Sequence, residues 1–206
     1  MTNYNDSNKD TNPARHTPAT SGSVRQTLHL CWHYTVGLKM EQILRSGVLL
    51  PATAGVPDWE RPAVWFSTNR VWEQTANKMY FDARGVRHLG TKQTTEKYAH
   101  GLYRIGVAKE TAPHDWATFR KLSGIKRMQA RLLEKSARKA GASSEQWRVS
   151  FEPVPASMWV AVERWNGAAW VPASVDPADY AVGDLPAPAA LEAFLLGVLL
   201  GNAGQS

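Results

Sequence analysis

Three short stretches, far apart in the chain, carry side chains of the kinds that hold and polarise a small ligand. In Trp32–His33–Tyr34–Thr35, the imidazole of His33 and the hydroxyl of Thr35 offer directional hydrogen bonds of the sort that fix a ligand hydroxyl. In Val64–Trp65–Phe66–Ser67–Thr68–Asn69, followed by Thr75–Ala76–Asn77 and Tyr80, the rings of Trp65 and Tyr80 offer aromatic faces to a planar cation, each worth roughly 0.5–2 kcal/mol. In the segment from Trp147 to Pro155, Glu152 is a carboxylate of the kind that stabilises positive charge developing in a reaction. Each residue also has a structural role open to it. A histidine at a strand end commonly hydrogen-bonds to backbone, Trp65 and Phe66 are the two sides of one strand, and Glu152 before Pro153 suits a solvent-facing turn. Thr75–Ala76–Asn77 alone carries almost no information.

The elements that must position these residues follow from the apolar spacing. Thr27–Tyr34 alternates as a strand. Leu38, Met40, Ile43 and Leu44 fall at helical spacing, with Gly47 placed as a C-cap. Val48–Pro51 leaves as a short strand, and Ala52–Pro62 is a Pro/Gly-rich loop. Ala63–Ser67 reads as a second strand, followed by a helix from about Arg70 to Phe81. Residues 82–100 are polar and read as loop, Gly101–Val107 as a third strand, and Pro113–Gly124 as loop with a turn of helix. Ile125–Ala140 reads as an amphipathic helix with Ile125, Met128, Leu132 and Leu133 on its apolar stripe and its Lys and Arg residues outward. Trp147–Phe151 and Trp159–Arg164 are strands, and Asn166–Gly167 marks a hairpin.

These elements predict a single α+β domain over 26–172, with mostly antiparallel strands in split sheets and a few peripheral helices. Residues 1–25 are rich in Asn, Thr, Ser and Pro and read as a disordered arm without a secretory h-region. Residues 173–206 read as an extension holding an apolar helix at Leu191–Leu200, too short for a membrane span. The 206 residues, 43% hydrophobic and 20% charged, exclude a disordered, collagen-like or coiled-coil chain. A single cysteine, Cys31, excludes a disulfide framework and a multi-cysteine zinc site, and fits a cytoplasmic protein. Of the nine tryptophans, Trp147, Trp159, Trp165 and Trp170 read as packing, while Trp59 and Trp72 lie near the cleft that the three stretches would form together. Charge is uneven. Residues 104–148 hold 11 Lys and Arg against four Asp and Glu, whereas 149–206 hold one against six. The basic middle attracts phosphates, whether of a dinucleotide or of nucleic acid.

The order and spacing of the three stretches resemble the diphtheria-toxin-like ADP-ribosyltransferase superfamily, which includes the poly(ADP-ribose) polymerases and the rifampin ADP-ribosyltransferases. His33–Tyr34–Thr35 with Ile43–Leu44–Arg45–Ser46–Gly47 is similar to the family's opening strand, helix and exit. Val64–Trp65–Phe66–Ser67 with Thr75–Ala76–Asn77 and Tyr80 is similar to the polymerase pattern of a strand Tyr before a Ser-Ala-Asn-Tyr segment, with Trp65 in the Tyr position. The resemblance covers roughly residues 29–165. It implies an ADP-ribosyltransferase-like fold and transfer of ADP-ribose from NAD, with nicotinamide released, to a macromolecular or small-molecule acceptor. It further implies His33 and Glu152 as catalytic residues, and Tyr34, Thr35, Trp65, Ser67 and Tyr80 as NAD contacts. In the rifampin-modifying members the acid is an Asp and lies elsewhere, so Glu145 and Asp115 stand beside Glu152 as alternatives. The competing expectations are a non-catalytic module on the same fold and a nucleic-acid-binding module built on the basic helix. No metal and no membrane contact is expected, and the oligomeric state is open.

Overall fold

The computed structural model describes residues 29–81 and 84–180. β1 (Leu30–Val36) alternates large side chains between two faces and runs directly into α1 (Gly37–Ser46). A Cβ on Gly37 would sit 1.9 Å from the His100 carbonyl oxygen, so this strand-to-helix step has room only for glycine. α1 ends on Gly47, whose left-handed backbone (φ 63) lets its N–H reach the Ile43 carbonyl. β2 (Val48–Leu49) follows, and a long loop leads to β3 (Val64–Ser67). The next elements are β4 (Met79–Phe81), β5 (Arg87–Leu89), α2 (Lys92–Tyr98) and β6 (Leu102–Ala108). After these come β7 (His114–Asp115), α3 (Trp116–Leu122) and α4 (Arg127–Lys139). The described chain closes with β8 (Trp147–Ser150), β9 (Val154–Pro155), β10 (Trp159–Trp165) and β11 (Trp170–Pro172).

Seven strands form one sheet in the order β11-β10-β6-β1-β3-β8-β7. Its pairings are antiparallel, and β2–β9 and β4–β5 make two separate two-stranded ladders. The molecule is therefore α+β, with mostly antiparallel strands and four helices among the described residues. Period-two alternation divides the core between the two faces of the large sheet. One face carries Cys31, Val64, Phe66, Ile105 and Val107, packed against Leu49 and Val154 of the β2–β9 ladder and Ile43 of α1. On the other face, one cluster gathers Trp32, Tyr34, Val36, Trp72 and Leu102. A second gathers Trp116 and Phe119 of α3, Ala130 and Ala137 of α4, and Trp147 and Val149 of β8.

Four sequence expectations change. No helix spans Arg70–Phe81. A short 3-10 turn at Gln74–Ala76 leads instead into β4. Side chains take over the backbone groups a helix would use: Asn69 Oδ1 accepts from the Val71 and Trp72 N–H groups, and Glu73 Oε1 from the Thr75 N–H. The polar stretch 82–100 holds β5 and α2, the latter started by a Thr91–Thr94 capping box. Within Pro113–Gly124, α3 runs for seven residues from an Asp115 N-cap. The apolar face of α4 is Ala130, Leu133 and Ala137, while Met128 is 75% exposed and Leu132 also faces solvent. The two alanines let the helix backbone approach the tryptophan-rich layer, which longer side chains would hold off. The hairpin forms as expected: Trp165 pairs with Trp170, and Asn166 Oδ1 accepts from the Ala168 and Ala169 N–H groups. The expected arm at 1–25 and apolar helix at Leu191–Leu200 lie outside the described residues.

Candidate functional site

β1, β3 and β8 carry the three stretches, and they are neighbours in the sheet. β1 meets β3 through Trp32 and Ser67, and β3 meets β8 through Phe66 and Arg148. Segments separated by more than 30 and then by 80 residues are thus brought side by side. The faces sort their residues. The His33 ring meets Phe66 edge-on, with centroids 5.9 Å apart, so His33, Thr35, Phe66 and Arg148 share one face. Tyr34, Trp65 and Ser67 point to the other.

His33 is half-buried at the centre of its face. Its Nδ1 lies 2.9 Å from the Trp65 carbonyl oxygen. A carbonyl only accepts, so Nδ1 carries the proton and Nε2 keeps its lone pair. Burial pushes the imidazole pKa down to about 4, helped by the nearby Lys78 ammonium and opposed by the Trp65 hydrogen bond. At neutral pH His33 is therefore an uncharged acceptor at Nε2. Lys78 just precedes β4 and is held by its N–H to Thr95 Oγ1 at 2.9 Å. Burial, with Lys39 adding to it, lowers its pKa to about 8. A cation within electrostatic range of a neutral imidazole suits a ligand with both hydroxyl and anionic groups.

Trp65 does not offer its ring to His33. The indole packs among Trp116, Phe119 and Trp147, with centroids 6.3, 4.7 and 6.0 Å away, and only its backbone carbonyl serves the histidine. Tyr34 is buried against Trp72 and Trp170, its hydroxyl donating to the Asn69 carbonyl at 2.6 Å. Ser67 is buried and accepts from the Asn69 N–H. Thr35 is buried on the His33 face. Tyr80 is half-buried in β4, stacked on His88 and Tyr98.

The three carboxylates lie in different places. Glu152 sits just beyond β8, exposed, with Oε1 2.7 Å from Arg61 Nη2. It borders a hollow of about 320 Å³ shared with Arg61, Glu110, His114 and Met158. Ladder spacing puts Glu152 two strands and about four residues from His33, on the order of 15 Å. Asp115 caps α3, its Oδ1 accepting from the Thr118 N–H at 2.8 Å; this bond holds its carboxyl below the usual range, with Arg148 contributing. Glu145 is exposed in the turn before β8.

A scan against protein-family models finds no match, and searches of curated proteins and of solved structures find none.

Several residues emerge only from the fold. Lys78 comes within electrostatic range of His33 because β4 and α2 replace the expected helix and loop. Arg148 stands on the His33 face through the β3–β8 register. On the opposite face the Arg104 guanidinium lies 3.8 Å from the Trp32 ring centroid and 4.5 Å from that of Trp170. It is bonded to Glu163 and to the Arg70 carbonyl. Glu73 is buried, and its Oε2 finds no partner among the described residues. Among the described residues no group of His, Cys, Asp and Glu is arranged to hold a metal ion, and no helix is long and apolar enough to cross a membrane.

Proposed function

We propose that this chain is an ADP-ribosyltransferase of the diphtheria-toxin-like kind, taking NAD as donor in the cytoplasm. The observation that carries the reading is the adjacency of β1, β3 and β8, with the His33 imidazole locked by the Trp65 carbonyl and its Nε2 free to accept. In this reading Nε2 accepts a hydrogen bond from a ribose hydroxyl and Lys78 draws the pyrophosphate. Tyr80 is the stacking ring for nicotinamide, a role that the facing of Trp65 removes from the indole. Cleavage breaks the bond between the ribose anomeric carbon and the nicotinamide nitrogen. The electron pair leaves with nicotinamide, and an oxocarbenium-like ribose is captured by the acceptor nucleophile, whose proton passes to solvent. Glu152, the one of the three carboxylates bordering a hollow, stabilises that charge.

A non-catalytic module on the same scaffold is the second reading, favoured by the exposed ion pair that occupies Glu152. Incubating the full chain with labelled NAD in cell lysate separates them. Transfer of label to lysate components, lost in His33→Ala and reduced in Glu152→Gln, supports transfer. Full activity in Glu152→Gln with loss in Glu145→Gln or Asp115→Asn moves the acid. No labelling, together with no calorimetric heat on adding NAD, favours the module.

A further inference from the structure

We propose that the exposed face of α4, together with Trp59, binds single-stranded nucleic acid. With Ala130, Leu133 and Ala137 turned to the core, Arg127, Arg131, Lys135 and Arg138 form one solvent-facing stripe. At four or three residues apart they recur about every 4.5–6 Å along the axis. Lys121, Lys126 and Lys139 are exposed alongside. Glu134, the one acid of α4, falls between Arg131 and Arg138 in helical spacing, and its Oε1 is already engaged, accepting from Trp116 Nε1 at 2.6 Å and from Arg120. The stripe therefore presents four cations whose one neighbouring carboxylate is already held by Trp116 and Arg120, the complement of a phosphate backbone.

A second observation names the kind of nucleic acid. Trp59 is 57% exposed, with Lys126 Nζ 4.1 Å from its ring centroid at the start of α4. Its backbone is fixed against the α3–α4 turn. Gly124 (φ 81) has no Cβ, which would otherwise lie 2.4 Å from the Trp59 carbonyl oxygen, and the Arg61 N–H donates to the Ser123 carbonyl at 2.7 Å. A solvent-facing indole, one face against Lys126, at the end of a cationic track suits stacking of an unpaired base on its other face. An anionic membrane fits less well, because the apolar face of α4 is spent on the fold and only Met128 and Leu132 remain outside. The track also leads toward Glu152, since Arg61, two residues after Trp59, pairs with that carboxylate. On the transfer reading the bound strand would be the acceptor, but the binding itself is independent of NAD.

The test is fluorescence anisotropy of the full chain with labelled oligodeoxythymidylate of about 20 nucleotides, without NAD, over about 50 to 200 mM salt. The wild type is expected to bind with an affinity that falls steeply with salt. Arg127→Gln/Arg131→Gln/Lys135→Gln should weaken binding at least tenfold and reduce the slope of log K against log salt by about 2. Trp59→Ala should weaken it at least about fivefold, with Trp59→Phe recovering most of the loss. The charge-keeping Arg127→Lys/Arg131→Lys variant should bind nearly as the wild type. Any of three results overturns the proposal: no binding by the wild type, an unchanged affinity and slope in the triple variant, or duplex bound as well as single strand with Trp59→Ala silent. Binding to phosphatidylserine vesicles but not to the oligonucleotide would overturn it in favour of a membrane.

Discussion

At the scale of single residues, His33 is the side chain whose state matters most. A proton held at Nδ1 by a backbone carbonyl and a pKa near 4 make it neutral throughout the physiological range. The sign for stability follows. The unfolded chain takes up a proton near pH 6.5, while the folded protein does so only near 4. Between those values the unfolded state binds more protons. The contribution of His33 is thus complete above about pH 6.5 and is lost as pH falls toward 4, amounting to at most about 3 kcal/mol. Following the His33 ring signals by NMR should show a midpoint near 4, and unfolding of wild type and His33→Asn should diverge over the same window. A midpoint near 6.5 would mean that the imidazole is open to water. Part of this was readable beforehand. His33 and Thr35 must share a face because strands alternate, and the same rule already separates Thr35 from Tyr34. Which face of β3 meets His33 depends on register, and register is a tertiary property. The sequence therefore could not tell that Phe66, and not Trp65, lies beside the histidine.

At the scale of elements, the strongly periodic segments β1, α1, β3, β6, β10 and the hairpin at Asn166 follow the pattern in the chain. The segment from Arg70 to Tyr98 does not. There Asn69 and Glu73 bind backbone N–H groups locally, and Trp72 Nε1 donates to Asn77 Oδ1 at 2.9 Å, a set of contacts that competes with helix formation. That rearrangement is what brings Lys78 within electrostatic range of His33. α4 shows a different limit. Its large apolar residues suggest one stripe, yet two small alanines define the buried one, because the facing layer of Trp116, Phe119 and Trp147 already fills the space. Thermal unfolding should report this directly. Ala130→Leu is expected to lower stability by about 1–3 kcal/mol through overpacking, and Met128→Ala to change it by less than about 0.5 kcal/mol. The reverse ranking would restore Met128 to the core and displace Ala130.

At the scale of the whole molecule, the basic helix face and the hollow beside Glu152 are joined by one loop. The cations of α4 and the indole of Trp59 line one flank, and the loop that carries Trp59 also carries Arg61 to Glu152. From Glu152 the sheet leads across β8 and β3 to His33. The surplus of basic residues in 104–148 was visible in the sequence. The helical spacing also already turned those cations to one outer face; only the loop that joins this face to the Glu152 carboxylate depends on how the strands pair. The most direct check is nicotinamide release from NAD by the purified chain, resolved chromatographically, with His33→Ala measured in parallel and its folding verified by circular dichroism. We predict release by the wild type and a fall of at least tenfold in the variant. Release by neither protein, or equal release by both, would contradict a catalytic site built around His33.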